Sequence, residues 1–286
     1  MFLKISIVEF KYFIGIEYMF LYNFNQMKNK KIICFDLDGT LAPSKERIDD
    51  EMAELINKLL ENYQVSVITW WWEDRFKKQI FDYISDNDDL LKNFIPCPTC
   101  GTKMFKYENG EWKKLYSLDF SQDEKELILK SMDEVMDFLS LRPEKVRWDI
   151  VEDRWSQITF SALWQQAPLK EKKDWDPDFK KRKVIQAELE KRIPNFSINS
   201  WWSTSIDITM KWVDKAFGVR KLIEHFPVNL DEILFIWDAV FPGWNDYPPF
   251  TIWVDSVKIN DVDHTKAVIR KLIENWDLDD DRLYTE

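Results

Sequence analysis

The chain has 286 residues, 45% of them hydrophobic, which is enough for one large domain or two modest ones with a buried core. Its formal net charge of -11 argues against sequence-independent binding to nucleic acid, because such binding depends on clustered Lys and Arg. Three cysteines are an odd number for a chain of this size, which disfavours a disulfide framework and predicts a cytoplasmic location.

Residues 1–26 are rich in Phe, Tyr and Ile, but charged side chains interrupt every apolar run well short of membrane-spanning length. The segment also lacks the basic start, unbroken apolar middle and small-residue cleavage site of a secretory signal. Met27 opens MKNKKIICFDLDGTL, a natural beginning for a first core strand. We therefore predict that residues 1–26 are a non-native extension.

Two parts of the chain alternate short apolar strands with helical spacing of apolar residues. These elements are strands at 31–35, 65–69, 233–236 and 251–254 and helices at 48–62 and 214–226. Such alternation is typical of a parallel sheet covered by helices. The sequence therefore predicts an α/β protein with a Rossmann-like parallel-sheet core, formed by residues 27–105 and 212–286.

The segment between these two parts has a different pattern. A hairpin is predicted around Asn109-Gly110, because this dipeptide separates two strand-like runs. The other elements are helices at 122–139 and 178–191 and strands at 157–163 and 205–209. We predict that residues 106–211 form an inserted α+β cap over the carboxyl ends of the core strands, where open α/β sheets bind ligands.

Cys97 and Cys100 form a single CxxC pair. Zinc binding or redox chemistry would require a second pair, a nearby His or a supporting motif. The favoured interpretation is two half-buried thiols at the beginning of a strand.

Two carboxylates follow the first predicted strand. Asp36 and Asp38 in DLDGT are spaced so that both side chains point to the same side of an extended chain. They repel each other unless a cation joins them, and Mg²⁺ is the hard, oxygen-preferring ion that also meets substrate phosphate. Asp238, with Asp246 in the following loop, supplies further acidic ligands from a second strand. Any one Asp at a strand end is ordinarily explained as a turn or helix cap, but three acidic positions at separate strand ends are harder to explain in that way.

Several motifs occur in a fixed order along the chain. They are DLDGTLAPSK at 36–45, Thr69 after VSVI, Lys215 in DKAFGVRKL, DAVFPGWND at 238–246, and the cap segments at 152–168 and 203–209. With these motifs the sequence resembles the haloacid dehalogenase superfamily, and within it the branch of phosphomannomutases and their bacterial phosphatase relatives, which carries an inserted type IIB cap.

The resemblance implies roles for the core residues. Asp36 would be the nucleophile that forms an aspartyl phosphate, and Asp38 the acid and base that serves the leaving and incoming oxygens. Thr69 and Lys215 would hold the transferring phosphoryl oxygens. Mg²⁺ would be bound by a set of carboxylates and would offset the repulsion between nucleophile and phosphate. Its ligands would be Asp36, Asp38, Asp238 and Asp246.

The resemblance also implies a binding surface for a small sugar phosphate. Arg154, Ser205 and Asp207 match cap positions that grip sugar and distal phosphate, and Lys45 matches a basic position after the first motif. Phosphomannomutases have an arginine where this chain has Gln165, and losing a bidentate phosphate clamp weakens retention of a bisphosphate. A sugar-phosphate phosphatase is therefore favoured, and a mutase that interconverts mannose 6-phosphate and mannose 1-phosphate is the alternative. A homodimer contact is expected in the cap.

The chain has 15 Trp and only 6 Gly, which reverses the usual ratio. Many of the tryptophans occupy positions where the resembled family has, or the local pattern suggests, glycine. They are Trp70, Trp71, Trp72, Trp148, Trp155, Trp164, Trp201, Trp202, Trp212, Trp237, Trp244 and Trp253. Trp112 and Trp175 fit their segments as genuine tryptophans, and Trp276 fits either interpretation.

Three explanations compete for these tryptophans. An aromatic platform for sugars explains one or two exposed rings, and core packing explains Trp237 or Trp253 within strands. The favoured hypothesis is that the gene uses UGA as a glycine codon that was translated as tryptophan. If the tryptophans are genuine, a bulky TWWW loop would block close approach of backbone to phosphate, and the expected protein is an inactive phosphosugar-binding pseudo-enzyme.

Overall fold

The structure, a computed structural model, describes residues 29–70, 76–142, 150–163, 168, 171, 174–200, 204–238 and 252–277. The predicted extension at 1–26 lies outside these residues. In the described part of the chain no helix is both long and apolar enough to span a bilayer.

Strands and helices alternate in both halves of the described chain. The strands are β1 (Ile32–Phe35), β2 (Gln64–Ile68), β3 (Phe94–Cys97), β4 (Lys103–Glu108), β5 (Glu111–Ser117), β6 (Val151–Asp153), β7 (Gln157–Ser161), β8 (Phe196–Ser200), β9 (Ser205–Met210), β10 (Ile233–Trp237) and β11 (Asp255–Lys258). The helices are α1 (Asp50–Leu60), α2 (Asp88–Leu91), α3 (Gln122–Phe138), α4 (Lys180–Arg192), α5 (Lys215–His225) and α6 (Val262–Asp277). A π-helix at Lys77–Phe81, a 3-10 helix at Leu230–Glu232 and a short helical turn at Pro98–Gly101 complete the set.

The core is a five-stranded sheet in the order β11-β10-β1-β2-β3, and every neighbouring pair is parallel. Side chains of β1 alternate between its two faces. Ile33 and Phe35 pack with α1 and α6, whereas Ile32 and Cys34 pack with α5 on the other face. Helices on both faces of a parallel sheet confirm the predicted Rossmann-like α/β core.

The cap is a four-stranded antiparallel sheet in the order β6-β7-β9-β8. Alternation along β7 and β9 directs Ile158, Phe160, Ile206 and Ile208 into an apolar cluster with α3 and α4. The opposite face therefore carries the polar residues of the same strands. These are Gln157, Thr159, Ser161, Ser205, Asp207 and Thr209. The cap lies within the predicted insertion at 106–211.

The predicted hairpin is β4 and β5, and its turn residues Asn109 and Gly110 both have positive φ, at 56° and 80°. This is the backbone that an Asn-Gly turn adopts readily. The hairpin begins at Lys103, slightly before the predicted start of the insertion. The ring centroids of Tyr107 and Trp112 lie 5.2 Å apart, and the ring centroid of Trp112 lies 4.7 Å from that of Phe81. These aromatic contacts fix the hairpin against the core.

Two chain crossings join the cap to the core, one after β5 and one after β9. Both meet in a small apolar cluster, in which Leu118 and Met210 pack against the buried Cys100, Val213 and Phe217. The cap is thus attached beside the carboxyl ends of the core strands.

Two local predictions are wrong. The last strand is Asp255–Lys258, not 251–254, because Trp253 has a φ of 66° and cannot continue an extended strand. Cys97 is the last residue of β3, Cys100 follows that strand, and both are fully buried, so they are not half-buried thiols at the beginning of a strand. The CxxC spacing reflects the packing of both side chains at β3, the edge strand of the sheet. An edge strand also tolerates a proline, here Pro96.

Candidate active site

Asp36 and Lys215 form a buried ion pair at the carboxyl end of the central strand. Asp36 follows β1 directly, and its backbone N–H donates to the carbonyl oxygen of Ile236 over 3.1 Å. The Nζ atom of Lys215 lies 2.5 Å from Oδ1 of Asp36, and both side chains are buried. A buried ammonium requires a charged partner to offset the loss of water. The pair therefore holds a carboxylate and a cation together at the ligand-binding edge of the sheet.

Lys215 is the first residue of α5, and Asp214 caps that helix. Oδ1 of Asp214 accepts the backbone N–H of Phe217 over 2.7 Å. Burial raises the pKa of the Asp214 carboxyl, and the helix N–H groups oppose that rise. Because a helix N-terminus favours negative charge, it disfavours the Lys215 ammonium and adds to the need for Asp36. The same end of the helix is suited to an anion such as phosphate.

Asp38 lies in the loop that follows β1. Its Oδ1 accepts the backbone N–H of Lys45 over 2.7 Å, and Lys45 has a φ of 68°. The N–H of Gly39 donates to the carbonyl oxygen of Ala42 over 2.7 Å and closes the loop. The structure therefore brings Lys45 to Asp38 through the main chain.

Asp238 approaches this same loop from the end of β10. A Cβ atom on Gly39, whose φ is 84°, would lie 2.3 Å from Oδ2 of Asp238. Only glycine allows the two segments to come this close. The carboxylates of Asp36, Asp38 and Asp238 thus belong to one edge of the sheet.

This donor set is chemically suited to Mg²⁺, because all of its ligating atoms would be carboxylate oxygens. Within the ranges that the structure describes, no three acidic, His or Cys side chains are drawn together as a ligand cluster. The fourth predicted ligand, Asp246, lies outside the described residues. The structure thus brings Asp238 to the loop that contains Asp38 and Gly39.

Thr69 follows β2, the neighbour of β1, and is buried. Its N–H donates to the carbonyl oxygen of Cys97 over 3.2 Å, and its carbonyl oxygen accepts the N–H of Cys100 over 2.8 Å. Thr69 is therefore held by the backbone at the same sheet edge as Asp36.

The cap brings Arg154 and Asp207 together on its polar face. The hydroxyl of Thr159 donates to Oδ1 of Asp207 over 2.7 Å, and Arg154 pairs with Glu152 over 2.8 Å. Burial raises the pKa of the Asp207 carboxyl, while the Arg154 charge and the Thr159 and Gln157 hydrogen bonds oppose that rise. The result is a buried network of charged and neutral polar groups.

Ser205 lies on the polar face with Asp207, two residues earlier on β9, and is opposite Ser161 in the strand register. Gln165 lies outside the described residues. Thr159, Gln157 and Asp214 are contributors that the sequence reasoning missed. Asp214 could have been recognised as the cap before a helix, whereas the polar contacts of Thr159 depend on the pairing of β7 with β9.

Comparison with known proteins agrees with this geometry. A family model described as haloacid dehalogenase-like hydrolase matches residues 158–247, a range that begins in the cap and ends beyond β10. Human phosphomannomutase 1 is 24% identical over 231 residues, which cover 78% of this chain and 84% of the human protein. These matches confirm the predicted resemblance to the haloacid dehalogenase superfamily.

Several solved structures share the fold of this chain. The IMP-bound IMP-nucleotidase of Plasmodium falciparum has a TM-score of 0.61 and 14% identity, over 88% of this chain and 71% of that one. A haloacid dehalogenase-like hydrolase from Bacteroides thetaiotaomicron has a TM-score of 0.57 and 14% identity, over 85% and 99% of the two chains. The resemblance to the phosphomannomutase branch is confirmed, and the protein is an enzyme of the phosphohydrolase or phosphomutase kind that transfers phosphoryl groups.

Several tryptophans of this chain have unusual environments. Trp155 and Trp253 have φ values of 70° and 66° and are 50% and 68% exposed. Trp237 is buried in β10, and its indole N–H has no hydrogen-bond partner among the described residues. Core packing explains the burial of the Trp237 ring but not its indole N–H, which is unpartnered within the described part of the chain. Core packing is wrong as an explanation of Trp253, which is exposed.

The two tryptophans predicted to be genuine are packed. Trp112 contacts the aromatic cluster of the core, and Trp175 packs against the apolar cluster of the cap. The other tryptophans predicted to replace glycine fall into two groups, those within the described residues and those outside them. Trp70 and Trp212 are described, and Trp71, Trp72, Trp148, Trp164, Trp201, Trp202 and Trp244 are not.

Proposed function

We propose that the protein hydrolyses a sugar phosphate through an aspartyl-phosphate intermediate on Asp36. The observation that carries this proposal is the buried contact of 2.5 Å between Lys215 Nζ and Asp36 Oδ1 at the carboxyl end of β1. An ionised carboxylate at this edge is a nucleophile, and the adjacent ammonium is positioned to meet the oxygens of a phosphoryl group that the carboxylate attacks.

Two displacements complete the reaction. In the first, an Asp36 oxygen bonds to phosphorus while the phosphorus–oxygen bond to the sugar breaks, and Asp38 gives its proton to the departing oxygen. In the second, Asp38 takes a proton from water, the water oxygen bonds to phosphorus, and the bond to Asp36 breaks. Lys215, Thr69 and the N-terminus of α5 hold the phosphoryl oxygens in both steps.

Mg²⁺, bound by Asp36, Asp38, Asp238 and Asp246, would supply a Lewis acid that offsets the repulsion between carboxylate and phosphate. The oxygen-only character of these side chains and the approach of Asp238 to Gly39 support this assignment.

The polar face of the cap supports a sugar as the leaving group. Arg154, Ser205 and Asp207 offer a cation, a hydroxyl and a carboxylate on one surface. Such a surface suits the hydroxyl groups and second anionic group of a phosphosugar. Lys45 and Gln165 are proposed to contact the same substrate.

A phosphomannomutase activity is the second candidate, because the sequence relatives carry that name at 24% identity. A mutase must retain a bisphosphate while it turns around, and Gln165 lacks the fork of donors that an arginine provides. Free phosphate as the product supports the phosphatase. Bisphosphate-dependent interconversion of mannose 6-phosphate and mannose 1-phosphate would support the mutase.

We also propose that the tryptophans at predicted glycine positions are glycines in the native protein, encoded by UGA. The left-handed backbone of the exposed Trp155 and Trp253 supports this, because L side chains rarely adopt it and glycine does so freely. UGG codons at positions 70, 71, 201, 202 and 244 would refute it. If the tryptophans are genuine, ligand binding without turnover is expected.

A cytoplasmic location is proposed as well, because all three cysteines are free and buried. We also propose that the protein forms a homodimer through the cap.

The nucleophile is tested with Asp36→Asn. This change should abolish Mg²⁺-dependent release of phosphate from hexose phosphates, since an amide does not form the acyl phosphate. Asp123→Asn, on the exposed first turn of α3, is the control and should retain full turnover. Unchanged turnover in Asp36→Asn would contradict the assignment.

A further inference from the structure

Three consecutive residues after β3 have left-handed backbone. Thr99, Cys100 and Gly101 have φ values of 47°, 55° and 78°. We refer to these residues as the 99–101 turn. Such a conformation is unfavourable for Thr and Cys, and it persists only where the surroundings fix it.

Hydrogen bonds hold the 99–101 turn to the core and to the cap. The N–H of Cys100 donates to the carbonyl oxygen of Thr69 over 2.8 Å, and the Tyr116 hydroxyl donates to the carbonyl oxygen of Gly101. On the cap side, the hydroxyl of Ser156 donates to that of Thr99 over 3.2 Å. The turn thus bridges the end of β2, the hairpin and the cap.

The turn also meets α5 at a close contact between two glycines. A Cβ atom on Gly101 would lie 2.5 Å from Cα of Gly218, a backbone atom that cannot rotate away. A Cβ atom on Gly218 would lie 3.1 Å from the carbonyl oxygen of Cys100. Gly218 is three residues after Lys215, so both lie on the same side of the helix.

From these contacts we propose that the 99–101 turn positions both phosphate-holding residues, with Gly101 as the positioning residue for Lys215. The absence of a side chain at Gly101 lets α5 approach until Lys215 reaches Asp36, while Cys100 fixes the main chain of Thr69. This inference rests on the proposed function of Lys215.

The same contacts give a role to the CxxC spacing. Cys97 ends β3, and Cys100 is buried among Val213, Phe217 and their neighbours. Burial raises the pKa of the Cys97 thiol to about 12, which keeps it protonated. The two cysteines are therefore packing residues on either side of the turn.

Gly101→Ala tests the proposal, and Gly110→Ala is a matched control. Gly101 and Gly110 have φ values of 78° and 80°, but a side chain at Gly110 would meet nothing within 4 Å. Both variants therefore acquire the same backbone strain, and only Gly101→Ala displaces α5. We expect kcat to fall by about 10² in Gly101→Ala with little change in KM, because a catalytic group displaced by about an ångström loses that much. Gly110→Ala should retain the parent kcat.

A double-mutant cycle with Lys215→Met separates positioning from general damage. If Gly101 acts through Lys215, Gly101→Ala adds no further loss of kcat in the Lys215→Met background. Independent, additive losses would overturn the proposal. If Gly101→Ala does not fold, Gly218→Ala replaces it, since its contacts are milder, and the same cycle applies.

Binding of orthovanadate, measured by calorimetry, supplies a readout without turnover. Gly101→Ala and Lys215→Met should weaken it to the same extent, and Gly110→Ala should not. A parent protein that binds orthovanadate but does not release phosphate would contradict the proposed function. The binding affinities of the three variants would then still test whether the 99–101 turn positions Lys215. A parent protein that binds none would overturn both proposals.

Discussion

The core edge and the cap face bury polar groups in different ways. At the core edge, opposite charges meet directly, as Lys215 does with Asp36. On the cap face, Asp207 is surrounded by hydroxyl and amide groups, and burial raises its pKa despite Arg154. The first arrangement pairs a carboxylate with a cation at the sheet edge, whereas the second leaves a carboxylate incompletely compensated and able to accept a substrate hydroxyl. Chemistry and recognition are thus separated between the two parts of the molecule.

The largest effect is expected from Lys215→Met, which removes the charge and retains the packing. Loss of one preorganised donor to a transition state lowers kcat by about 10² to 10³. Because the change leaves the buried Asp36 carboxylate without its cationic partner, the protein should also lose about 3 to 5 kcal/mol of stability, and the melting temperature should fall. Steady-state kinetics and thermal melting of the same preparation check both statements. A large rise in KM at constant kcat would instead assign Lys215 to substrate binding alone.

A smaller effect, on recognition and not on chemistry, is expected from Asp207→Asn. Loss of a charged hydrogen bond to the sugar should raise KM by about tenfold with kcat retained. Asn has nearly the same shape as Asp and can still accept the Thr159 hydroxyl, so the network should survive.

The same variant should be more stable than the parent at neutral pH. In the folded protein the pKa of Asp207 is raised above its ordinary value of 3.8, so the folded state binds this proton more tightly than the unfolded state. The stability that Asp207 gains by binding this proton is fully present below pH 3.8, and it is lost as the pH rises through the pKa of the folded protein. Melting curves recorded from acid to neutral pH should therefore diverge in favour of Asp207→Asn. A parent that is the more stable protein at neutral pH would show that Asp207 is well compensated.

The smallest effect concerns tryptophans with strained backbone, of which the described residues include one in the cap and one in the core. Trp155→Gly in the cap and Trp253→Gly in the core should each stabilise the protein by about 1 kcal/mol, because relief of left-handed strain exceeds the added freedom of the unfolded chain. Trp212→Gly is the control, since Trp212 is 50% exposed without a positive φ. Denaturant unfolding measures all three. A gain in the control equal to the others would remove the argument from backbone strain.

The sequence predicted the strands of the core better than the contacts between distant segments. β1 and β10 are fully buried and therefore read as continuous apolar runs, whereas β11 has the sequence DSVK and half-buried side chains that leave no such signal. The Asp36–Lys215 proximity follows from motif order in a known superfamily. The contact between Gly101 and Gly218 could not be predicted, because it depends on how closely two distant segments approach in space.

The two crossings that join cap and core leave from one small apolar cluster formed around Cys100, Val213 and Phe217. A linker that replaces the whole insertion would therefore need to span only the width of that cluster, and a few Gly and Ser residues suffice. The fold is in this sense modular for protein engineering: the core can be closed behind an excised cap, or supplied with a cap from another protein, by cutting the two crossings where they meet beside this cluster.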